Sequence, residues 1–163
     1  MTFTLRPLQP DDIAGCARVL AGLPEWFGRP EINAAYVDGL RSGPAFAVVD
    51  GNRQIAGFVG LRAHNPGSME IDVMAVRRDL HRLGIGRRLV AAAIEHARHA
   101  GVRWLHVKTR GPSTFDEGYE STRRFYRSVG FDPLYESQTE WGPDDAALVM
   151  VMRLAEESSN DER

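Results

Sequence analysis

Apolar and polar positions along this chain follow the two periods of regular structure, and the switches between them mark out a sequence of elements. Alternation from Phe3 to Leu8 predicts a short strand. Pro10-Asp11-Asp12 supplies a helix start, followed by apolar positions at Ile13, Ala17, Leu20 and Leu23. A loop from Leu23 to Pro30 carries Trp26 and Phe27. A second amphipathic helix runs through Ile32, Ala35, Tyr36 and Leu40 and ends near Ser42-Gly43-Pro44. Ala45–Val49 and Gln54–Arg62 predict two apolar strands, joined by the hairpin signal Asp50-Gly51-Asn52. His64-Asn65-Pro66-Gly67 reads as a turn and Ser68–Val76 as a fourth strand. Leu89, Val90, Ala93, Ile94 and Ala97 then recur at helical spacing, with Arg88, Glu95, Arg98 and His99 on the opposite face.

Ala100-Gly101 closes that helix. Trp104–Thr109 predicts a fifth strand, buried and parallel to the fourth because a helix lies between them. Gly111–Asp116 reads as a flexible linker and Gly118–Val129 as a fourth helix with Gly130 as its C-cap. Phe131–Thr139 and Ala147–Leu154 are the last strands, separated by a loop with Trp141-Gly142-Pro143. The order β-α-α-β-β-β-α-β-α-β-β predicts an α/β (α+β) fold, a mixed sheet of about seven strands with four helices.

Bulk properties narrow the field. At 163 residues the chain suits one domain, assigned to residues 1–155, with a core that buries roughly two-thirds of the unfolded surface. The polar, charged stretch 156–163 is expected to be a disordered tail. A formal net charge of -2 points away from nucleic acid and from membrane surfaces. One cysteine, Cys16, excludes an internal disulfide and fits a reducing compartment. Its spacing with Ile13, Ala17 and Leu20 makes it a core residue rather than a nucleophile. The N-terminal residues lack a signal-peptide pattern, and no apolar run is long enough to span a bilayer, so a cytoplasmic protein is expected.

Candidate chemistry concentrates after the fourth strand. Met74-Ala75-Val76 leads through a charged turn into Leu83-Gly84-Ile85-Gly86-Arg87-Arg88-Leu89, which opens a helix. The first helical N–H groups lack intrahelical partners, and with the helix dipole they favour an anion. Gly84 and Gly86 let an oxygen-rich ligand approach the backbone, and Arg82, Arg87 and Arg88 add positive charge. A Walker loop is excluded because Gly-Lys-Ser/Thr is absent. The dinucleotide fingerprint fails too: Leu89 stands at its third glycine, and Val107-Lys108-Thr109 replaces its acidic strand end.

His81-Arg82-Leu83-Gly84-Ile85-Gly86 resembles the pyrophosphate loop of the GCN5-related N-acetyltransferase (GNAT) superfamily, Gln/Arg-x-x-Gly-x-Gly/Ala, with His81 departing from the first position. Phe125-Tyr126-Arg127-Ser128-Val129-Gly130-Phe131 resembles the family's late-helix motif, although Tyr119 stands where an Asn is common. The Gly118–Tyr126 run, with Leu23–Gly28, is similar to an uncharacterised bacterial branch of that family. The resemblance implies a sheet splayed between the fourth and fifth strands and acetyl-CoA as cosubstrate, with no metal. In the implied site, Met74, Ala75 and Val76 line the pantetheine arm, the first and last through their backbone. The N–H groups of Arg82, Leu83, Gly84, Ile85, Gly86 and Arg87 take the pyrophosphate, and an amide near Val73 or Met74 polarises the thioester carbonyl.

The same resemblance makes Tyr126 the acid that returns a proton to the thiolate, the alternative being an aromatic that only packs its helix. Glu70 and Asp72 alternate on the fourth strand and share a face unless a bulge intervenes; such a face would raise one pKa and hold a substrate ammonium. Glu70 is preferred as base and Asp72 as an acceptor-binding group, against a solvated strand end for either. His64 reads as a surface-turn histidine before a proton acceptor, and His81 as a loop-ordering residue. Trp26 and Phe27 border the acceptor site or plug the core, and Trp141 could complete that wall. The expected reaction is direct acetyl transfer to an amine, of a small molecule or of a protein or peptide. Its rivals are transfer to a hydroxyl, transfer of another acyl group, or an acyl-CoA sensor without turnover. Glu25, Glu70, Asp72, Glu117 and Glu140 favour a cationic acceptor, and edge strands in this fold often pair into homodimers.

Overall fold

In the computed structural model, which describes residues 1–113 and 116–155, a mixed seven-stranded sheet has the order β1-β2-β3-β4-β5-β7-β6. The strands are β1 (Thr4–Pro7), β2 (Ala45–Val49), β3 (Ile55–Asn65), β4 (Ser68–Val76), β5 (Trp104–Arg110), β6 (Asp132–Ser137) and β7 (Ala147–Arg153). The helices are α1 (Ile13–Ala21), α2 (Pro30–Ser42), α3 (Ile85–His99) and α4 (Glu117–Ser128), with short 3-10 turns at Pro10–Asp12 and Arg78–Leu80. The predicted order of elements is reproduced. The stretch 156–163, expected to be a disordered tail, lies outside the described residues, as do Thr114 and Phe115 of the expected linker.

Local chemistry sets the element ends. Asp116 caps α4, its Oδ1 accepting from the N–H groups of Gly118 at 2.9 Å and Tyr119 at 3.3 Å. Asp50 closes the β2–β3 hairpin by accepting from the N–H groups of Asn52 and Gln54. β3 continues past Arg62 through His64 to Asn65, so the turn is Pro66-Gly67 alone and His64 is a strand residue, contrary to the turn expected from sequence. Polar turn-forming residues there are the solvent-facing end of a long hairpin, whose strands stay paired through Asn65↔Ser68.

Two apolar layers cover the sheet. One joins α3 and α4 to Ile71, Leu105, Val107, Tyr126 and Phe131; the other joins α1 and α2 to Phe58, Val73 and Ala75. Ile71 and Val73 would share a face in an unbroken strand. They do not, because Gly60 pairs with Val73 while Leu61 pairs with Ile71, leaving Asp72 as an extra residue in β4. This bulge lies where β4 parts from β5. The parallel ladder runs only from Ser68↔Trp104 to Ile71↔Val107, while β4 continues to Val76 and β5 to Arg110. β5 keeps β7 on its far edge throughout, and beyond Ile71↔Val107 the facing edges of β4 and β5 part into a wedge.

Candidate active site

The wedge meets the start of α3. Gly84 sits at φ 81 as the N-cap of α3, which carries no side-chain cap, so the first N–H groups of the helix stay available. A Cβ at Gly84 would meet nothing within 4 Å, leaving open space above the turn. Arg82 also adopts a positive φ, 65°, which turns successive amides toward one side. Gly86 has a different reason for being glycine: a Cβ there would lie 3.2 Å from the Phe125 ring, so its smallness serves the contact between α3 and α4. Of the turn's expected cations, Arg87 donates to Ser128 Oγ and Arg88 to the Phe3 carbonyl, so Arg88 does not face the turn. His81 Nε2 donates to the Val76 carbonyl at 2.8 Å, ordering the loop; that bond also takes up one of the Val76 groups expected to face a pantetheine arm. Met74 and Ala75 pair with β3 on one side and lie along the unpaired stretch of β4 on the other.

Tyr126 reaches the other layer from α4, 6% exposed, between Phe125 and Phe131 with ring centroids 5.2 and 5.6 Å away. Burial pushes its phenol up, so the hydroxyl stays protonated across the physiological range and can give a proton.

On the α1/α2 side, Glu70 is a buried anion, 4% exposed, ringed by cationic or imidazole groups. Its Oε2 accepts from His64 Nε2 at 3.0 Å and lies 3.5 Å from the Arg62 guanidinium and 3.6 Å from His106 Nε2. Lys108 Nζ is 3.8 Å from its other oxygen. Burial alone would raise the Glu70 pKa, yet the two imidazoles and Lys108 outweigh it and hold the carboxyl at about 2. Glu70 is therefore a buried, paired anion rather than a solvated strand end, and its pairing weakens it as the base expected from sequence. The carboxyl that burial does raise is Asp72, at the bulge, with the Arg62 guanidinium 3.3 Å away opposing the shift. The two carboxylates share Arg62, so they face the same side even though the bulge separates them.

The flanking loops are tied down. Trp26 donates its Nε1–H to Thr122 Oγ1 at 3.2 Å, and Tyr119 donates its hydroxyl to the Trp26 carbonyl at 3.1 Å. The Trp26 ring also meets His81 edge-on at 6.1 Å, so this one residue braces the α1–α2 loop against both α4 and the turn before α3. Phe27 packs against Tyr36 of α2. Glu25 pairs with Arg78, and Glu140 with Lys108, so the acidity expected to favour a cationic acceptor is partly neutralised within the chain.

His106 was not among the candidates read from sequence. A signal existed: His106, Lys108 and Arg110 alternate with Leu105, Val107 and Thr109 in a strand whose position called for apolar residues on both faces. Their partners become visible only through the Glu70↔His106 register.

A mixed sheet parted beside a glycine-opened helix is the arrangement that the sequence resemblance implies. The chain belongs to the acetyltransferase (GNAT) family, whose sequence model matches residues 20–131. It is 31% identical over 106 residues to the mycothiol acetyltransferase of Thermobifida fusca (strain YX), covering 60% of this chain and 31% of that protein. The chain thus spans about a third of the curated relative's length. The ribosomal-protein-S18-alanine N-acetyltransferase from Escherichia coli superposes with a TM-score of 0.76 at 18% identity, covering 98% of both chains. A GNAT family acetyltransferase from Elizabethkingia anophelis with acetyl-CoA bound gives a TM-score of 0.69 at 18% identity, covering 93% of this chain and 98% of that one. At these identities the likeness is one of fold. Among the described residues no helix is long and apolar enough to cross a membrane.

Proposed function

We propose that this chain transfers an acetyl group from acetyl-CoA to a primary amine by direct attack within a ternary complex. The observation that carries the reading is the end of the β4–β5 ladder at Ile71↔Val107, which leaves the Asp72–Val76 backbone without a partner on the wedge side. A pantetheine arm has amides that could pair there as an added strand, with Met74 as the principal partner. The pyrophosphate then meets the N–H groups from Arg82 to Arg87, where the left-handed Gly84 leaves open space.

The residues divide the chemistry between them. A β4 amide near Val73 or Met74 stabilises negative charge developing on the thioester oxygen, worth about 3 kcal/mol. Asp72 holds the incoming ammonium, and Trp26 and Phe27 fix the loop that borders it. As the new C–N bond forms and the C–S bond breaks, Tyr126 gives its proton to the departing thiolate. Cys16 is buried, and its thiol is pushed up to about 12, so an acyl-enzyme on that sulfur has no thiolate to start from. The acceptor is a small-molecule or a protein amine; the relative named for ribosomal-protein-S18 alanine uses the latter kind.

The test is a screen of amines with acetyl-CoA, following CoA release. Release that depends on one amine class, and that falls about 100-fold in Tyr126→Phe with acetyl-CoA affinity retained, supports the reading. Tight acetyl-CoA binding with no turnover of any amine or alcohol would leave a sensor instead, and transfer to an alcohol would make the acceptor a hydroxyl.

A further inference from the structure

Direct transfer needs a group that takes the proton from the attacking amine, and Glu70, held as an anion among cations, leaves that place open. We propose that His106, oriented by the buried Glu70 carboxylate and backed by His64, is that proton acceptor; the inference rests on the acetyl-transfer reading above and completes it.

The geometry is specific. Glu70↔His106 is the rung next to Ile71↔Val107, where the ladder ends, so the His106 ring stands at the root of the wedge on the Glu70 side. The His64 and His106 rings lie 5.1 Å apart, and the Nε2 atoms of both point at the same carboxylate oxygen, 3.0 and 3.6 Å away. Where Nε2 carries the proton toward Glu70, Nδ1 is the nitrogen left to accept one, and in neither ring does it have a hydrogen-bond partner among the described residues. The side chain of His106 is 17% exposed and that of His64 37% exposed, so the second ring connects the buried carboxylate to solvent. The other charged or titratable groups facing the cluster are Arg62 from β3, Asp72 from β4, Lys108 from β5 with its partner Glu140, and Tyr36 from α2.

The protons balance. An ammonium acceptor loses its first proton to His106 Nδ1; the imidazolium beside Glu70 is a favourable ion pair, and His106, itself 17% exposed, gives that proton up to water from Nδ1 once the product has left. The amine's second proton, freed as the C–N bond forms and the C–S bond breaks, replaces the one Tyr126 gave to the thiolate. The same three side chains place possible metal donors within 4.8 Å of one another. Arg62 and Lys108 already neutralise that carboxylate, however, which suits a passing proton better than a divalent cation.

The test uses His106→Gln, His64→Gln and Glu70→Gln in the full chain. With the amine that supports CoA release, His106→Gln is expected to lower kcat about 100-fold and to remove the acid limb from the pH profile, leaving acetyl-CoA affinity intact. His64→Gln should cost less. A second readout needs no acceptor: imidazole 15N spectra should show His106 and His64 protonated at Nε2 in the wild type, with mixed tautomers in Glu70→Gln. A wild-type acid limb retained in His106→Gln, a His106 proton on Nδ1, or tight Zn2+ binding that His106→Gln abolishes would each overturn the proposal. If the wild type neither binds acetyl-CoA nor releases CoA, the acetyl-transfer reading itself fails, and the tautomer measurement still decides the Glu70–His106 pairing.

Discussion

The two sides of the wedge are built from different materials. The α3 side is made of backbone: a left-handed Gly84, uncapped helix amides and the unpaired run of β4. The opposite side is made of side chains drawn from three strands: Arg62 and His64 from β3, Glu70 and Asp72 from β4, His106 and Lys108 from β5. A backbone site tolerates wide change in sequence as long as its φ values and its glycine survive. A side-chain cluster depends on register, and one slipped rung would take His106 away from Glu70. The first side suits a ligand common to a whole family, and the second suits an acceptor particular to this chain.

Substitutions break this contrast most strongly on the side-chain side. Replacing Glu70 by Gln leaves Arg62, Lys108 and two imidazoles around a neutral amide, and should cost about 3 kcal/mol in denaturant unfolding. The pH dependence has a definite sign. The folded carboxyl is held at about 2 against an ordinary 4.5, so its contribution is complete above pH 4.5 and is lost as pH falls toward 2. The wild type should therefore lose its advantage over Glu70→Gln through that window; a constant gap between the two curves would show that Glu70 is not held as an anion.

Smaller effects sharpen the other side, where two glycines in one motif should answer differently. Gly86→Val drives methyl groups into the Phe125 ring and should cost about 2 kcal/mol of stability, read as a lowered Tm. Gly84→Ala meets no atom but must hold φ 81, which costs about 1 kcal/mol, and its main effect should be weaker acetyl-CoA binding by calorimetry. Equal losses of stability and of affinity in both variants would erase the distinction. Of similar size, Trp26→Phe removes one hydrogen bond to Thr122 and should cost about 1 kcal/mol, with a raised KM for the acceptor as the loop loosens.

Legibility in the sequence followed the same divide. β2 and β4 read at their observed bounds because short apolar runs lay between clear turn residues, and α3 read from its periodicity. The glycine turn was legible because its chemistry is local. The bulge at Asp72 was not, since Glu70-Ile71-Asp72-Val73 alternates as an ordinary strand would and only the pairing of Gly60 and Leu61 displaces it. His64 was read as a turn residue because Asn65-Pro66-Gly67 follows it, yet the hairpin holds it within reach of Glu70. Whether a carboxylate is a base or a fixed anion depends on neighbours 36 and 38 positions away, His106 and Lys108, and no local pattern encodes that.

Amide hydrogen exchange with and without acetyl-CoA tests the central claim most directly. The account predicts slowed exchange from Asp72 to Val76 and from Arg82 to Arg87, with Ser68–Ile71, already paired to β5, unchanged. Protection that instead gathers around Arg98, Arg103 and Arg153, at the far end of α3, would contradict it.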